Sequence, residues 1–304
     1  MRKYLRLGAQ VGPYIVFRVG KIRKYSKNPS AYPLEDRFAE ASKYMRAIDK
    51  KGFHMQFIIK GQENLPPKDR QVIFYGNHIA VMDAVSFIEF SDRPMGFLAK
   101  DDVKTMPIVG TVATSLNSLY MDRDDLRSEI KLMMQLADLL KNNPGLSYVI
   151  FPEGTRSDAP DFNLLPFHPG SFKVAMKIKA PIVPFCTYMT DRVLNQHYHY
   201  RKYPVQVTYL KPIYPEEYED MTTQQVAEIV KERIAAELEI QKANDRELVK
   251  TLNGYSDEKT DRVLHYIPTE KDVRKHEKKK AKRAAKHAKK EAKQKKLAEK
   301  NKKK

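Results

Sequence analysis

The feature that most constrains the fold is a repeated exchange between short apolar runs and longer amphipathic ones. The runs at 53–59, 72–75, 95–100, 116–121, 146–151 and 205–210 have the length and residue types of strands, and the stretch holding Cys186 is strand-like. Two stripes at helical spacing accompany them: Leu34, Phe38, Ala41, Met45 and Ile48 ahead of the first run, and Leu126, Ile130, Met133, Ala137 and Leu140 between the fourth and fifth. Pro33 suits the first turn of one stripe and Gly52 its stop, while Asn142-Asn143-Pro144-Gly145 ends the other. Shorter helices are predicted at 84–90 and 106–115, and Thr222 with Gln225 forms a capping box before Val226, Val230 and Ile234. Strands alternating with helices predict an α/β class: one mixed sheet flanked by helices. With 304 residues, 41% of them hydrophobic, the chain can bury one full core and still carry appendages.

Charge divides the chain. Residues 1–30 carry eight Lys or Arg and no acid, and residues 270–304 carry 18 Lys or Arg against five acids, so most of the +18 sits at the ends. A near-neutral body between basic ends points to an anionic surface met by those ends. Three parts are expected: an amphipathic two-helix element at 1–50, the α/β domain at 51–243, and a lysine-rich tail at 244–304, disordered or conditionally helical. In the first part Tyr4, Leu7, Val11 and Ile15 fall on one stripe among arginines, with Arg18 placed to snorkel at a lipid interface. Gly12-Pro13 predicts a kink or a second helix beginning at Pro13. No apolar run reaches the 18 or so residues of a spanning helix, and Arg18 interrupts the stretch a cleavable leader would need. A single cysteine excludes an internal disulfide and favours the reducing, cytoplasmic side of the membrane.

Within the body, the strand-like Val72-Ile73-Phe74-Tyr75 is broken by Gly76-Asn77, and His78 follows five residues before Asp83. On one helix such a spacing turns the two side chains about 140° apart, so they meet only if His78 lies on the loop and Asp83 in the first helical turn. A carboxylate on one ring nitrogen fixes the tautomer and makes the other nitrogen a base for a hydroxyl proton. The competing reading is a histidine that caps a helix or packs in the core. No Gly-x-Ser-x-Gly elbow occurs, and the apolar surroundings of Cys186 do not suit a nucleophile, so the substrate must supply one. Backbone amides of the 76–79 turn are the expected oxyanion donors.

Cations recur at predicted strand ends: Lys100 after 95–99, Arg123 after 116–121, and Arg156 in Phe151-Pro152-Glu153-Gly154-Thr155-Arg156-Ser157 after 146–150. Singly each reads as a solvated charge; gathered at one sheet edge they would recognise a phosphate.

The ordered set Asn77-His78 with Asp83, Tyr120-Met121-Asp122-Arg123, Phe151 to Ser157, and Ala180-Pro181-Ile182-Val183-Pro184-Phe185 resembles the four blocks of the glycerolipid acyltransferase family, most of all its 1-acylglycerol-3-phosphate acyltransferases. The resemblance covers about residues 53–215. It implies His78 as general base and Asp83 as its orienting partner. It places Asn77, Lys100, Arg123, Glu153, Gly154, Thr155 and Arg156 around the substrate, and Pro181, Ile182, Val183 and Pro184 along an acyl groove. Ile79, Ala80 and Asn117 depart from the usual pattern, Asn117 standing where glycine is common. The implied reaction moves a fatty acyl group from acyl-CoA or acyl carrier protein to the free hydroxyl of lysophosphatidic acid, giving phosphatidic acid in phospholipid synthesis. It requires no metal or prosthetic group. The implied setting is peripheral, with residues 1–30 and 270–304 against an anionic membrane. Two other readings stand beside it: a sibling enzyme acting on glycerol-3-phosphate or another lysolipid, and a nucleic-acid-binding protein working through its basic ends.

Overall fold

In the computed structural model the described residues are 2–121, 126–157, 162–195 and 198–265 with Arg274, Glu277, Lys278, Ala281 and Ala285; at 2–7, 16–18 and 126–130 only the backbone is described. The chain divides into two units, Met1–Val263 and Leu264–Lys304. In the second, the described residues beyond His265 have helical backbone.

The first unit begins with α1 (Arg2–Lys27) and α2 (Leu34–Ile48), which pack on each other. α1 runs through Pro13 without ending, so of the two alternatives expected there, a kink or a second helix, the second helix does not form. Proline removes one N–H and its ring crowds the carbonyl four residues back, a cost that a helix supported by neighbours can absorb; here α2 and α4 (Val109–Ser115) supply the support. Val11, Val19 and Ile22 are buried, whereas the side chains of Tyr4, Leu7 and Arg18 lie outside the described residues. No described helix is long and apolar enough to cross a membrane.

The sheet comprises β1 (Met55–Lys60), β2 (Ile73–Gly76), β3 (Met95–Lys100), β4 (Leu119–Met121), β5 (Ser147–Ile150), β6 (Ile182–Tyr188) and β7 (Tyr203–Tyr209), in the order β1-β7-β6-β2-β5-β3-β4. Every neighbouring pair is parallel except β6 and β7. β2, β5 and β6 are buried at every position, which requires cover on both faces and explains their largely apolar sequence. Phe87 on α3 (Met82–Phe90) locks the centre, its ring 5.2 Å from Phe74 and 4.7 Å from Phe185. The connection leaving β2 runs to β3, and the one leaving its neighbour β5 runs to β6 on the other side of β2. Adjacent strands whose connections run in opposite directions open a crevice at their carboxyl ends, where α/β folds seat ligands.

Some boundaries differ from the pattern. The helix expected over 106–115 starts at Val109, because Ile108 takes a φ of +68°. The strand expected over 116–121 shortens to β4 because Asn117 is left-handed, φ +57°. Asparagine tolerates that conformation better than most side-chain-bearing residues, which accounts for its standing where glycine is usual. The boundary expected at 244 falls inside α8 (Thr223–Asn253), which follows α7 (Pro215–Tyr218) and opens on the predicted capping box. Few apolar residues mark its last turns, yet Val249 is fully buried and Asn253 Oδ1 accepts from the amides of Arg201 and Lys202. Gly254 ends it in the left-handed region, and α9 (Asp257–Leu264) follows. The remaining helices, α5 (Leu126–Lys141) and α6 (Lys173–Ile178), pack on each other.

Candidate active site

β2 ends at Gly76, the chain turns, and α3 begins at Met82, so His78 sits on the loop and Asp83 in the first helical turn. His78 Nδ1 lies 2.8 Å from Asp83 Oδ2, and the same oxygen accepts from the amides of Ile79 at 2.7 Å and Ala80 at 2.9 Å. An ionised carboxylate can only accept, so Nδ1 carries the proton and Nε2 is the basic nitrogen. The Asp83 side chain is fully buried while that of His78 is 17% exposed, an orienting group below and a reachable ring above.

The loop after β5 grips His78 from three sides. The Phe151 ring stacks on the imidazole at 4.3 Å and 19°. Glu153 Oε1 accepts from the His78 amide at 2.7 Å, and Ser157 donates its amide to the His78 carbonyl at 2.7 Å. Glu153 is 2% exposed, and its second oxygen accepts from the Leu165 amide at 2.9 Å. Its carboxylate therefore points inward to hold backbone, a different place from the substrate contact expected. Asn77 is also turned inward: it is 1% exposed and exchanges two hydrogen bonds with the backbone of Thr187 on β6, at 2.8 and 2.9 Å. The oxyanion expectation changes as well, since the amides of His78 and Ile79 are already committed to Glu153 and Asp83.

Lys100 closes β3 at the same sheet edge, half-exposed and ion-paired with Asp102. Arg156 is exposed and Thr155 half-buried on the loop after β5. Arg123 lies outside the described residues. Gly154 takes a φ of +65°, and a Cβ there would sit 3.0 Å from the His168 ring, so the turn requires glycine. Pro181, Ile182, Val183 and Pro184 are buried, the last three within β6 beside β2, and form core rather than an open groove wall.

Sequence reasoning missed Phe151 and Ser157 as supports, although both flank the Glu-Gly-Thr-Arg turn. It missed Thr190 altogether. Thr190 follows β6, is fully buried, and donates its hydroxyl to Asp83 Oδ1. Beside it, burial pushes the Asp191 carboxyl up to about 6 against the pull of Arg192, which is itself held by both oxygens of Asp245 on α8.

A mixed seven-stranded sheet presenting a carboxylate-oriented imidazole at the carboxyl ends of its central strands defines an α/β domain equipped to move a hydroxyl proton. Residues 56–188 match the Acyltransferase family model. A 1-acyl-sn-glycerol-3-phosphate acyltransferase from Chlamydomonas reinhardtii is 34% identical over 150 residues, 49% of this chain and 44% of the relative. One from Borreliella burgdorferi is 34% identical over 137 residues, 45% of this chain and 53% of the relative. The match thus spans about half the length of these two relatives. The Saccharomyces cerevisiae protein of the same name is 27% identical over 245 residues, 80% of this chain and 73% of the relative. The crystal structure of the 1-acyl-sn-glycerophosphate (LPA) acyltransferase PlsC from Thermotoga maritima shares the fold: TM-score 0.63, 24% identity, 79% of this chain and 95% of that one. Over residues 56–188 the chain is therefore similar to the acyltransferase family.

Proposed function

We propose that the protein transfers a fatty acyl group from an acyl thioester, acyl-CoA or acyl carrier protein, to the free hydroxyl of 1-acylglycerol-3-phosphate, giving phosphatidic acid. The observation that carries this reading is the His78–Asp83 pair, held by both backbone and side chain at the sheet edge. His78 Nε2 takes the hydroxyl proton as the acceptor oxygen attacks the thioester carbonyl. The tetrahedral intermediate collapses with cleavage of the C–S bond, and the imidazolium returns its proton to the departing thiolate. A new ester replaces the thioester, and no redox partner is involved. Asp83 stabilises the imidazolium between the two proton transfers. Lys100 and Arg156, with Arg123, are assigned to the acceptor phosphate, and Gly154 and Thr155 to the turn that presents Arg156. Glu153 and Asn77 support the loop from beneath, and residues 181–184 serve as core.

The names of the relatives support the acceptor assignment. The basic stretches 1–30 and 270–304 support docking on the anionic cytoplasmic face of a membrane, each nearby lysine contributing about 1 kcal/mol. The test is thiol release from an acyl thioester with and without lysophosphatidic acid, in wild type and His78→Ala. Acceptor-dependent release lowered about 10²–10⁴-fold in the variant supports the reading. Release that needs no acceptor, or survives the substitution, refutes it.

A further inference from the structure

Asp83 is a buried carboxylate with two oxygens and unequal support. Oδ2 accepts from three donors, His78 Nδ1 and the amides of Ile79 and Ala80, all supplied by its own loop. Oδ1 accepts from the Thr190 hydroxyl, supplied by the turn after β6, the strand beside β2. β6 delivers this hydroxyl through a turn in which Met189, though not glycine, holds a φ of +76°. A bulky residue persists in that region only where its surroundings fix it. They do so here: Met189 is 1% exposed, Thr190 fully buried, and the next residues are tied to α8 through Arg192 and Asp245. Further back, Asn77 clamps the same strand, through Thr187, to the loop that carries His78.

We propose that Thr190 is a positioning residue that fixes Asp83 and draws off part of its negative charge, and so sets the basicity of His78. A hydrogen bond donated to a carboxylate stabilises its charge, and a carboxylate deprived of that donor holds the neighbouring imidazolium more strongly. His78 then gives up its proton only at higher pH. Among the described residues, the ionisable groups tied to Asp83 directly or through one neighbour are His78 and Glu153 on the two site loops, Asp191 on the turn after β6 and Cys186 on β6, with Arg192 and, on α8, Asp245 beside Asp191. None of them changes when Thr190 is replaced by an uncharged residue.

The test substitutes Thr190→Val, which keeps the shape and removes the hydroxyl, Thr190→Ala, which carries the test if a second methyl is not accommodated, and Thr190→Ser, which keeps the hydroxyl. NMR titration of the His78 ring follows the midpoint without any need for turnover. It is expected to move up by about half a pH unit or more in the valine and alanine variants and to stay at the wild-type value in the serine variant. The kinetic arm, which rests on the acyl-transfer reading, shows a rate lowered at the acidic end of the pH profile, by up to about threefold for each half pH unit that the midpoint moves, and recovering as pH rises. A titration unmoved in folded valine and alanine variants overturns the inference, as does a rate loss equal at every pH. If wild type transfers no acyl group, the proposed function fails while the titration still decides the role of Thr190.

Discussion

Glu153 separates two accounts of the loop after β5. If it contacts the acceptor, its loss weakens acceptor binding; if it holds backbone, as both of its oxygens do here, its loss weakens the fold and misplaces the base. Glu153→Gln retains one acceptor oxygen but turns an NH₂ group toward an amide that previously donated. One charge-assisted bond is lost and a buried N–H is left facing another donor, a cost of about 2–3 kcal/mol. In a domain of this size each kcal/mol moves Tm by about 2–4 °C, so Tm falls by about 4–12 °C. The His78 amide is 2.7 Å from Glu153, and the imidazole it carries must stay in register with Asp83, so kcat is expected to drop about ten- to a hundredfold. The measurements are calorimetry and the thiol-release assay over a range of acceptor concentrations. An unchanged Tm with a raised KM for the acceptor would refute the backbone-holding role and restore the substrate contact.

Arg156→Ala is expected to raise the acceptor KM about ten- to a hundredfold with kcat little changed, as for the loss of one hydrogen-bonded phosphate contact; unchanged acceptor kinetics would remove Arg156 from the phosphate site. Glu89 on α3 is buried beside Asp49, one of its oxygens has no partner, and burial, then Asp49, pushes its carboxyl up to about 8 against the pull of Arg46. The penalty is absent below its ordinary value near 4.5, where folded and unfolded chains both hold the proton, and complete above about 8, so stability falls as pH rises between the two. Glu89→Gln should therefore raise Tm by about 2–12 °C at pH 9 and leave it unchanged at pH 4; an equal gain at both would show that charge is not the cause. Removing residues 270–304 is expected to keep turnover on detergent-dispersed substrate and weaken binding to anionic vesicles, more so at low salt. Lost turnover in detergent would place the tail in the reaction.

The strands, the long helices and the two-residue logic of His78 and Asp83 were legible in the sequence, because each depends on local spacing: period two or 3.6 for the elements, and a loop followed by a first helical turn for the pair. The block Phe151 to Ser157 was also legible as site-forming, since it directly follows a buried strand. Which of its side chains would face outward was not. Arg156 and Glu153 lie three residues apart in one turn, and the structure leaves the first exposed while it buries the second against the His78 amide. The direction of a loop side chain follows from partners dozens of residues away, and no local pattern encodes them. The same holds for Asn77, which local order places beside the base but which two hydrogen bonds to Thr187 turn into a strand clamp. Thr190 is the clearest case, being 107 residues from Asp83 with nothing around it to mark it. Sequence alone determined the kind of domain and the pair at its centre. Tertiary structure decided which neighbours stay exposed beside the pair and which hold it in place, because that depends on where separate strands of one sheet come to lie.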